Sequence, residues 1–156
     1  MGRFRFQALR GEDVEQITYP GGASKIRGLC ALNEKAFTLT YGRLLTLFGQ
    51  PSYKAKDMED QYQFNVEAKG EDGEVCYLYA YSGPSGPAVG GGQDALSRLA
   101  ADALAELVNS AEPADYDYTG YYLDGSCKVH MWVKDGQAFF EESELTDEEY
   151  RKMAGR

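Results

Sequence analysis

Thr119-Gly-Tyr-Tyr-Leu-Asp-Gly-Ser-Cys-Lys-Val-His-Met-Trp-Val-Lys-Asp-Gly-Gln-Ala-Phe-Phe-Glu-Glu-Ser-Glu144 carries two Asp-Gly pairs, Asp124-Gly125 and Asp135-Gly136. Each pair sits between runs rich in aromatic and apolar residues. Asp-Gly supplies the positive φ angles that a tight hairpin needs, so the stretch reads as a three-stranded antiparallel meander over Asp115–Glu142. Within it, Cys127, Val129, Met131 and Val133 alternate with Lys128, His130, Trp132 and Lys134. One strand face is apolar and reads as core. The other presents two lysines around an imidazole and an indole.

Upstream, Asp94–Asn109 reads as a helix. Leu96, Leu99, Ala100, Ala103, Leu104, Leu107 and Val108 fall at helical spacing, with Arg98, Asp102 and Glu106 on the other side. Pro113 ends it. Two strands precede it. Gln61–Ala68 alternates, with Tyr62, Phe64 and Val66 facing one way and Gln61, Gln63, Asn65 and Glu67 the other, the pattern of a half-buried strand. Glu74–Tyr81 follows the Asp72-Gly73 turn and is apolar on both faces, as expected of a central strand. Gly83–Gly92 reads as a flexible Gly/Pro-rich connection. Earlier still, Tyr41–Phe48 reads as a short helix with Leu44, Leu45 and Phe48 inward, closed by Gly49 and Pro51. Arg3–Leu9 alternates as a strand, Gly11–Lys25 is turn-rich, and Ile26–Leu32 and Ala36–Leu39 are candidate short strands. At the other end, Thr146 with Glu149 forms a capping box for a final helix, with Leu145 and Tyr150 as its hydrophobic staple.

The order after residue 40 is therefore helix, two strands, helix, three strands, helix, the form of a doubled helix–strand–strand unit. The expected fold class is α+β: one domain over residues 1–156, with an antiparallel sheet of five or more strands packed against two main helices. At this length a single domain can bury a real core, and an aromatic content of 13% suits one.

Charge narrows the partners. The net charge is −9. Residues 1–80 hold 10 Lys/Arg and 11 Asp/Glu, a net of −1, while residues 81–156 hold 6 and 14, a net of −8. Such a half repels nucleic-acid phosphates and speeds encounter with basic surfaces. No apolar run has the length of a membrane span, and the N-terminal Arg3-Phe4-Arg5-Phe6 is not a secretory signal. Cys30, Cys76 and Cys127 are odd in number, far apart and set in apolar segments, which points to free thiols in a reducing cytoplasmic setting.

Four constellations bear on chemistry. Gly83–Asp94 has the strand–glycine–helix order of a phosphate cradle, and Gly90-x-Gly92-x-x-Ala95 fits a loose dinucleotide pattern. It lacks Gly-Lys-Ser/Thr, and Asp94 puts negative charge where an anion would sit. His130, the single histidine, would need a nucleophile or an orienting carboxylate to act as a base; Ser126 and Ser143 are available, but no motif ties them to it, and an ordinary sheet histidine is the simpler reading. Glu141, Glu142, Glu144, Asp147, Glu148 and Glu149 crowd nine positions. Acids in a first helical turn suit the helix dipole, and the rest form a partner-facing patch rather than a metal site. Tyr116, Tyr118, Tyr121 and Tyr122 lie among Asp115, Asp117 and Asp124, and Tyr with Asp suits a lysine- and arginine-rich partner.

Leu44-Leu45-Thr46-Leu47-Phe48-Gly49-Gln50-Pro51, followed by two aromatic strands, resembles the helix–Gly-x-Pro–strand–strand module of β-lactamase-inhibitor-like and outer-membrane-lipoprotein-like binding proteins. Thr119-Gly120-Tyr121-Tyr122 through Trp132-Val133-Lys134-Asp135-Gly136 is similar to the second-half hairpin of that inhibitor architecture. Those proteins are secreted and often disulfide-bonded, which this chain's scattered cysteines do not match. In overall style, small, acidic and aromatic, the chain resembles cytoplasmic immunity proteins of bacterial toxin systems. Both resemblances imply a protein that binds another protein.

The expectation is a non-enzymatic, acidic protein-binding module, an immunity or inhibitor protein that neutralises a basic bacterial toxin or enzyme. Its partner-binding residues are Tyr116, Tyr118, Tyr121, Tyr122, Trp132, Glu141, Glu142 and Glu144. No catalytic residue, metal ligand or cofactor is assigned. The alternatives are a small enzyme or ligand-binding protein using the Gly83–Asp94 loop near His130, and a phage or host accessory protein with a structural or anti-defence role.

Overall fold

Alternation of period two dominates the chain, and the computed structural model turns it into two antiparallel sheets. It describes residues 3–10, 12–29, 42–49, 51–54, 62–83, 86–121, 127–135 and 137–154. The elements are β1 (Phe4–Ala8), α1 (Glu12–Glu15), β2 (Ser24–Gly28), α2 (42–48), β3 (Tyr53–Lys54), β4 (Tyr62–Gly70), β5 (Val75–Gly83), β6 (Gly86–Gly91), α3 (Ala95–Ser110), β7 (Tyr116–Tyr121), β8 (Cys127–Lys134), β9 (Gln137–Glu144) and α4 (Asp147–Ala154). The larger sheet runs β1-β4-β5-β6-β2, with β3 also paired to β4; the smaller runs β7-β8-β9. Every strand pair is antiparallel. The fold is α+β. Each of α2 and α3 leads into an antiparallel meander, and the two meanders belong to separate sheets. Among the described residues no helix is long and apolar enough to cross a membrane.

The core lies between the larger sheet and the helices. Phe64, Val66 and Ala68 of β4 register with Ala80, Leu78 and Cys76 of β5, and all six are buried. From α2, Leu44, Leu45 and Phe48 enter the same cluster, as their helical spacing predicts. Gly49 ends that helix with φ 74°, its N–H donating to the Leu45 carbonyl at 2.8 Å, and Arg10 Nη2 donates to the Phe48 carbonyl at 2.6 Å. A cation on the last carbonyls suits the negative end of the helix dipole. The stretch after α3 is tied to α2, with Arg43 Nε donating to the Ala111 carbonyl and the Ala114 N–H donating to Thr46 Oγ1.

Several readings of the sequence change here. First, Gly86–Gly91 is a buried strand rather than a flexible connection. The reason is steric: Gly90 lies opposite Tyr79, and a Cβ at Gly90 would stand 2.2 Å from the Tyr79 ring. A glycine in a strand is stabilised when an aromatic ring from the neighbouring strand covers it. Tyr79 in turn packs edge-on against Tyr19, with centroids 5.6 Å apart. Second, the polar face of β4 is covered too. Asn65 is 2% exposed and sits in a closed network: Gln63 Nε2 donates to its Oδ1, its Nδ2 donates to the Tyr19 hydroxyl, and its backbone N–H donates to Ser52 Oγ. Buried amides are tolerated where such partners exist.

Third, α3 is rotated from the leucine-weighted face. Ser97, Ala100, Ala101, Leu104, Ala105 and Val108 are its buried residues, whereas Leu99 is 56% exposed and Leu107 38%. The helix lies on β5, β6 and β2, and small side chains let it approach a sheet whose β6 is built of glycine, proline, alanine and valine. The expected candidate strand at Ile26–Leu32 is shifted to Ser24–Gly28. The candidate strand at Ala36–Leu39 lies outside the described residues.

The start of α3 carries a pH signature. Asp94 caps it, accepting the Ser97 N–H at 3.0 Å and the Ser97 hydroxyl at 2.7 Å. These bonds hold its carboxyl below the ordinary value of 3.8. A depressed folded pKa contributes stability that is present above the unfolded value and lost as pH falls through the folded one. Asp94→Ala is therefore expected to cost about 1 kcal/mol at neutral pH, as for a lost N-cap. That difference should hold down to the ordinary value and shrink below it. Urea unfolding of both proteins across the acid range checks this, and a constant difference throughout would be the contrary result.

Candidate partner-binding surface

The site is built on β7, β8 and β9, and its local cause is turn chemistry. Asp135 adopts φ 53°, the left-handed conformation that a two-residue turn requires, and Lys134 pairs directly with Gln137 across it. The β7–β8 register, with Tyr121 opposite Lys128, is the one that a two-residue turn at Asp124-Gly125 would set. Those two residues themselves lie outside the described set.

Register then fixes the faces, because residues directly opposite share a face. Val133 is 3% exposed and joins the main core, and Tyr116, opposite it, packs against the same cluster. The other face is turned to solvent. Across it, Asp117, Trp132 and Phe139 stand in one row, and Thr119, His130 and Glu141 in the next. Phe139 stacks on Trp132 at 5.4 Å and 18°, and Trp132 stacks on His130 at 4.4 Å and 25°. His130 Nε2 lies 3.1 Å from each carboxylate oxygen of Asp117. The result is a continuous aromatic ladder standing on solvent-facing sheet, with Phe139 40% exposed and acids at both flanks.

The acids continue from the end of β9 into α4. Glu144, Asp147 and Glu148 are exposed. Glu149 closes the capping box: its carboxylate accepts the Thr146 N–H at 3.1 Å, and its own N–H donates to Thr146 Oγ1 at 3.2 Å. It also meets Lys128 at 3.5 Å, which joins α4 to β8. The Thr146 bonds hold the Glu149 carboxyl below its ordinary value, with Lys128 adding to the effect.

The expected partner-binding residues divide by register. Trp132 and Glu141 share the solvent face, and Tyr121 holds the position opposite Lys128 on the same side of the pairing. Tyr116 is core-facing; Tyr118 holds the register position opposite Met131 and Glu142 the one opposite Val129, while Glu144, opposite Cys127 at the end of β9, is exposed. The side chains of Tyr118, Tyr121 and Glu142 lie outside the described set, and so does Tyr122. Sequence reasoning missed Phe139 and Asp117 as members of the surface. The signal was present: a two-residue turn at Asp135-Gly136 puts Phe139 opposite Trp132.

Within the Gly83–Asp94 stretch, Gly86–Gly91 is strand β6 of the larger sheet, while His130 is on β8 of the smaller one. Asp117 is the orienting carboxylate that a basic histidine would need, yet among the described residues no hydroxyl or thiol is hydrogen-bonded to His130. Nor, among those residues, does any group of three His, Cys, Asp or Glu side chains have the placement to hold a metal ion. Cys76 is free and buried, and burial pushes its thiol up to about 11, with the Asp94 charge contributing. Cys127 is a β8 residue whose side chain lies outside the described set, as does Cys30 altogether. Comparison with protein-family models, with curated proteins and with solved structures finds no match.

Proposed function

We propose that the chain is a non-enzymatic protein-binding module that recognises a basic partner protein through the solvent face of β7–β9 and the acids that follow it. The observation carrying this reading is the Phe139–Trp132–His130 ladder, an ordered aromatic surface flanked by Asp117 and Glu141. Aromatic anchors held rigid before binding lose little entropy on association, and they concentrate binding energy. The −8 carried by residues 81–156 gives the same region its choice of partner. Within this reading, the narrower assignment is an immunity or inhibitor protein that covers the active site of a basic bacterial toxin or enzyme. A reducing, cytoplasmic setting fits the buried, protonated thiol of Cys76.

The test begins with affinity capture from the source organism and mass spectrometry, and turns on kinetics with the purified partner. Glu141→Lys/Glu144→Lys is expected to slow association about tenfold or more at low salt, through lost electrostatic steering. Added salt should slow the wild type and narrow the gap. Both positions are exposed, so the unfolding midpoint should be nearly unchanged. Association that ignores both salt and the double reversal would remove the basic partner from the proposal.

A further inference from the structure

From a different part of the molecule, we infer that Arg3, Arg5 and Lys69 form a binding site for a phosphate-class anion. Arg5 of β1 stands directly opposite Lys69 of β4. Directly opposed side chains begin only about 5 Å apart at Cβ, and like charges in that arrangement are destabilising. Arg3 precedes Arg5 by two residues, so it projects on the same side, about 6.7 Å along an extended chain. All three line one open cavity of about 620 Å³ at the β4–β5 hairpin, and Glu71 is the single acid among its lining residues. Among the described residues none of the three cations is in an ion pair, whereas Arg27 meets Asp102, Lys128 meets Glu149 and Lys152 meets Glu148.

Edge protection explains charges on β1, because an unpaired edge strand is guarded by charged side chains. It does not explain Lys69, since β4 at that point lies between β1 and β5. An acid at 69 would pair with Arg5; a lysine there concentrates positive charge on a chain whose net charge is −9. Two guanidinium groups and an ammonium on long side chains around one open cavity have the reach to donate together to a tetrahedral dianion, with the forked arginines supplying bidentate contacts.

The test is a titration of isotopically labelled protein with inorganic phosphate at constant ionic strength, followed by NMR. Saturable shifts are expected at the amides of Arg3–Gln7 and Lys69–Gly73. Arg5→Gln and Lys69→Gln should each weaken binding about tenfold, as for loss of one charge-assisted hydrogen bond. Lys69→Glu should abolish the shifts and, in phosphate-free buffer, raise the thermal midpoint by relieving the repulsion. Co-sedimentation with vesicles of phosphatidic acid in phosphatidylcholine would place the phosphate on a lipid headgroup; saturation by free phosphate without vesicle binding would place it on a soluble ligand. Non-saturating shifts spread over all basic residues, or shifts unchanged in Lys69→Gln, would overturn the site.

Discussion

Replacing Phe64 by alanine is expected to remove about 3–5 kcal/mol of stability, the range found when a buried aromatic ring is truncated. Phe64 is 1% exposed, registers with Ala80, and shares its cluster with Leu44 and Leu45 of α2 and Leu104 of α3. Its ring lies within the core cluster to which the larger sheet and both helices contribute. None of these neighbours is free to collapse into the gap, because each is held by its own helix or strand. Since domains of this size have about 5–15 kcal/mol in all, the variant should sit near the edge of folding at ambient temperature. Urea unfolding measures the loss, with an unchanged slope showing that the same surface is exposed. Leu99→Ala is the control. That leucine is 56% exposed, and its removal should change stability by no more than about 0.5 kcal/mol. Similar losses for both variants would mean that α3 presents its leucine face to the sheet, the orientation that composition alone suggests.

That contrast marks what the sequence could and could not say. Helix α3 was legible because its apolar residues recur at helical spacing and Pro113 ends it. Its facing was not, because hydrophobicity favours leucine while close approach to a glycine-bearing strand favours alanine and serine. The meander was legible from Asp135-Gly136, where turn type dictates register and register dictates which side chains share a face. Strand β6 was not, because Gly86–Gly91 has the composition of a loop. Its conformation comes from a distant partner: the Tyr79 ring needs a residue without a Cβ opposite it. Asn65 and Gln63 looked like the wet side of β4 for the same reason. Tyr19 and Ser52, which help satisfy Asn65, lie 46 and 13 residues away in the chain, beyond the reach of local patterning. On the smaller sheet, Trp132 was evident as an exposed aromatic, but its stack with Phe139 and His130 depends on two cross-strand registers taken together.

Trp132→Ala should have the largest effect on partner binding, and it should act on dissociation. The indole is the middle member of the ladder, 4.4 Å from His130 and 5.4 Å from Phe139, so its loss separates the two outer rings and leaves both free to reorient. Truncating an interface anchor of this kind commonly costs about 2 kcal/mol or more, equivalent to roughly thirtyfold in affinity. Steering by Glu141 and Glu144 is untouched, so association at low salt should stay close to wild type while the complex falls apart faster. Trp132→Phe retains a ring between the neighbours and should recover much of the lost residence time. Folding responds on a smaller scale, because each stacked pair contributes only about 0.5–1.5 kcal/mol beyond its buried area. Thr119→Ala, on the same face but outside the stack, is the matching control, since Thr119 is exposed and stands opposite His130. Surface plasmon resonance of the four proteins against the captured partner separates the rates. Wild-type dissociation from Trp132→Ala would place the interface away from this ladder, even if charge reversal had slowed association, because long-range steering acts from surfaces that the bound partner never touches.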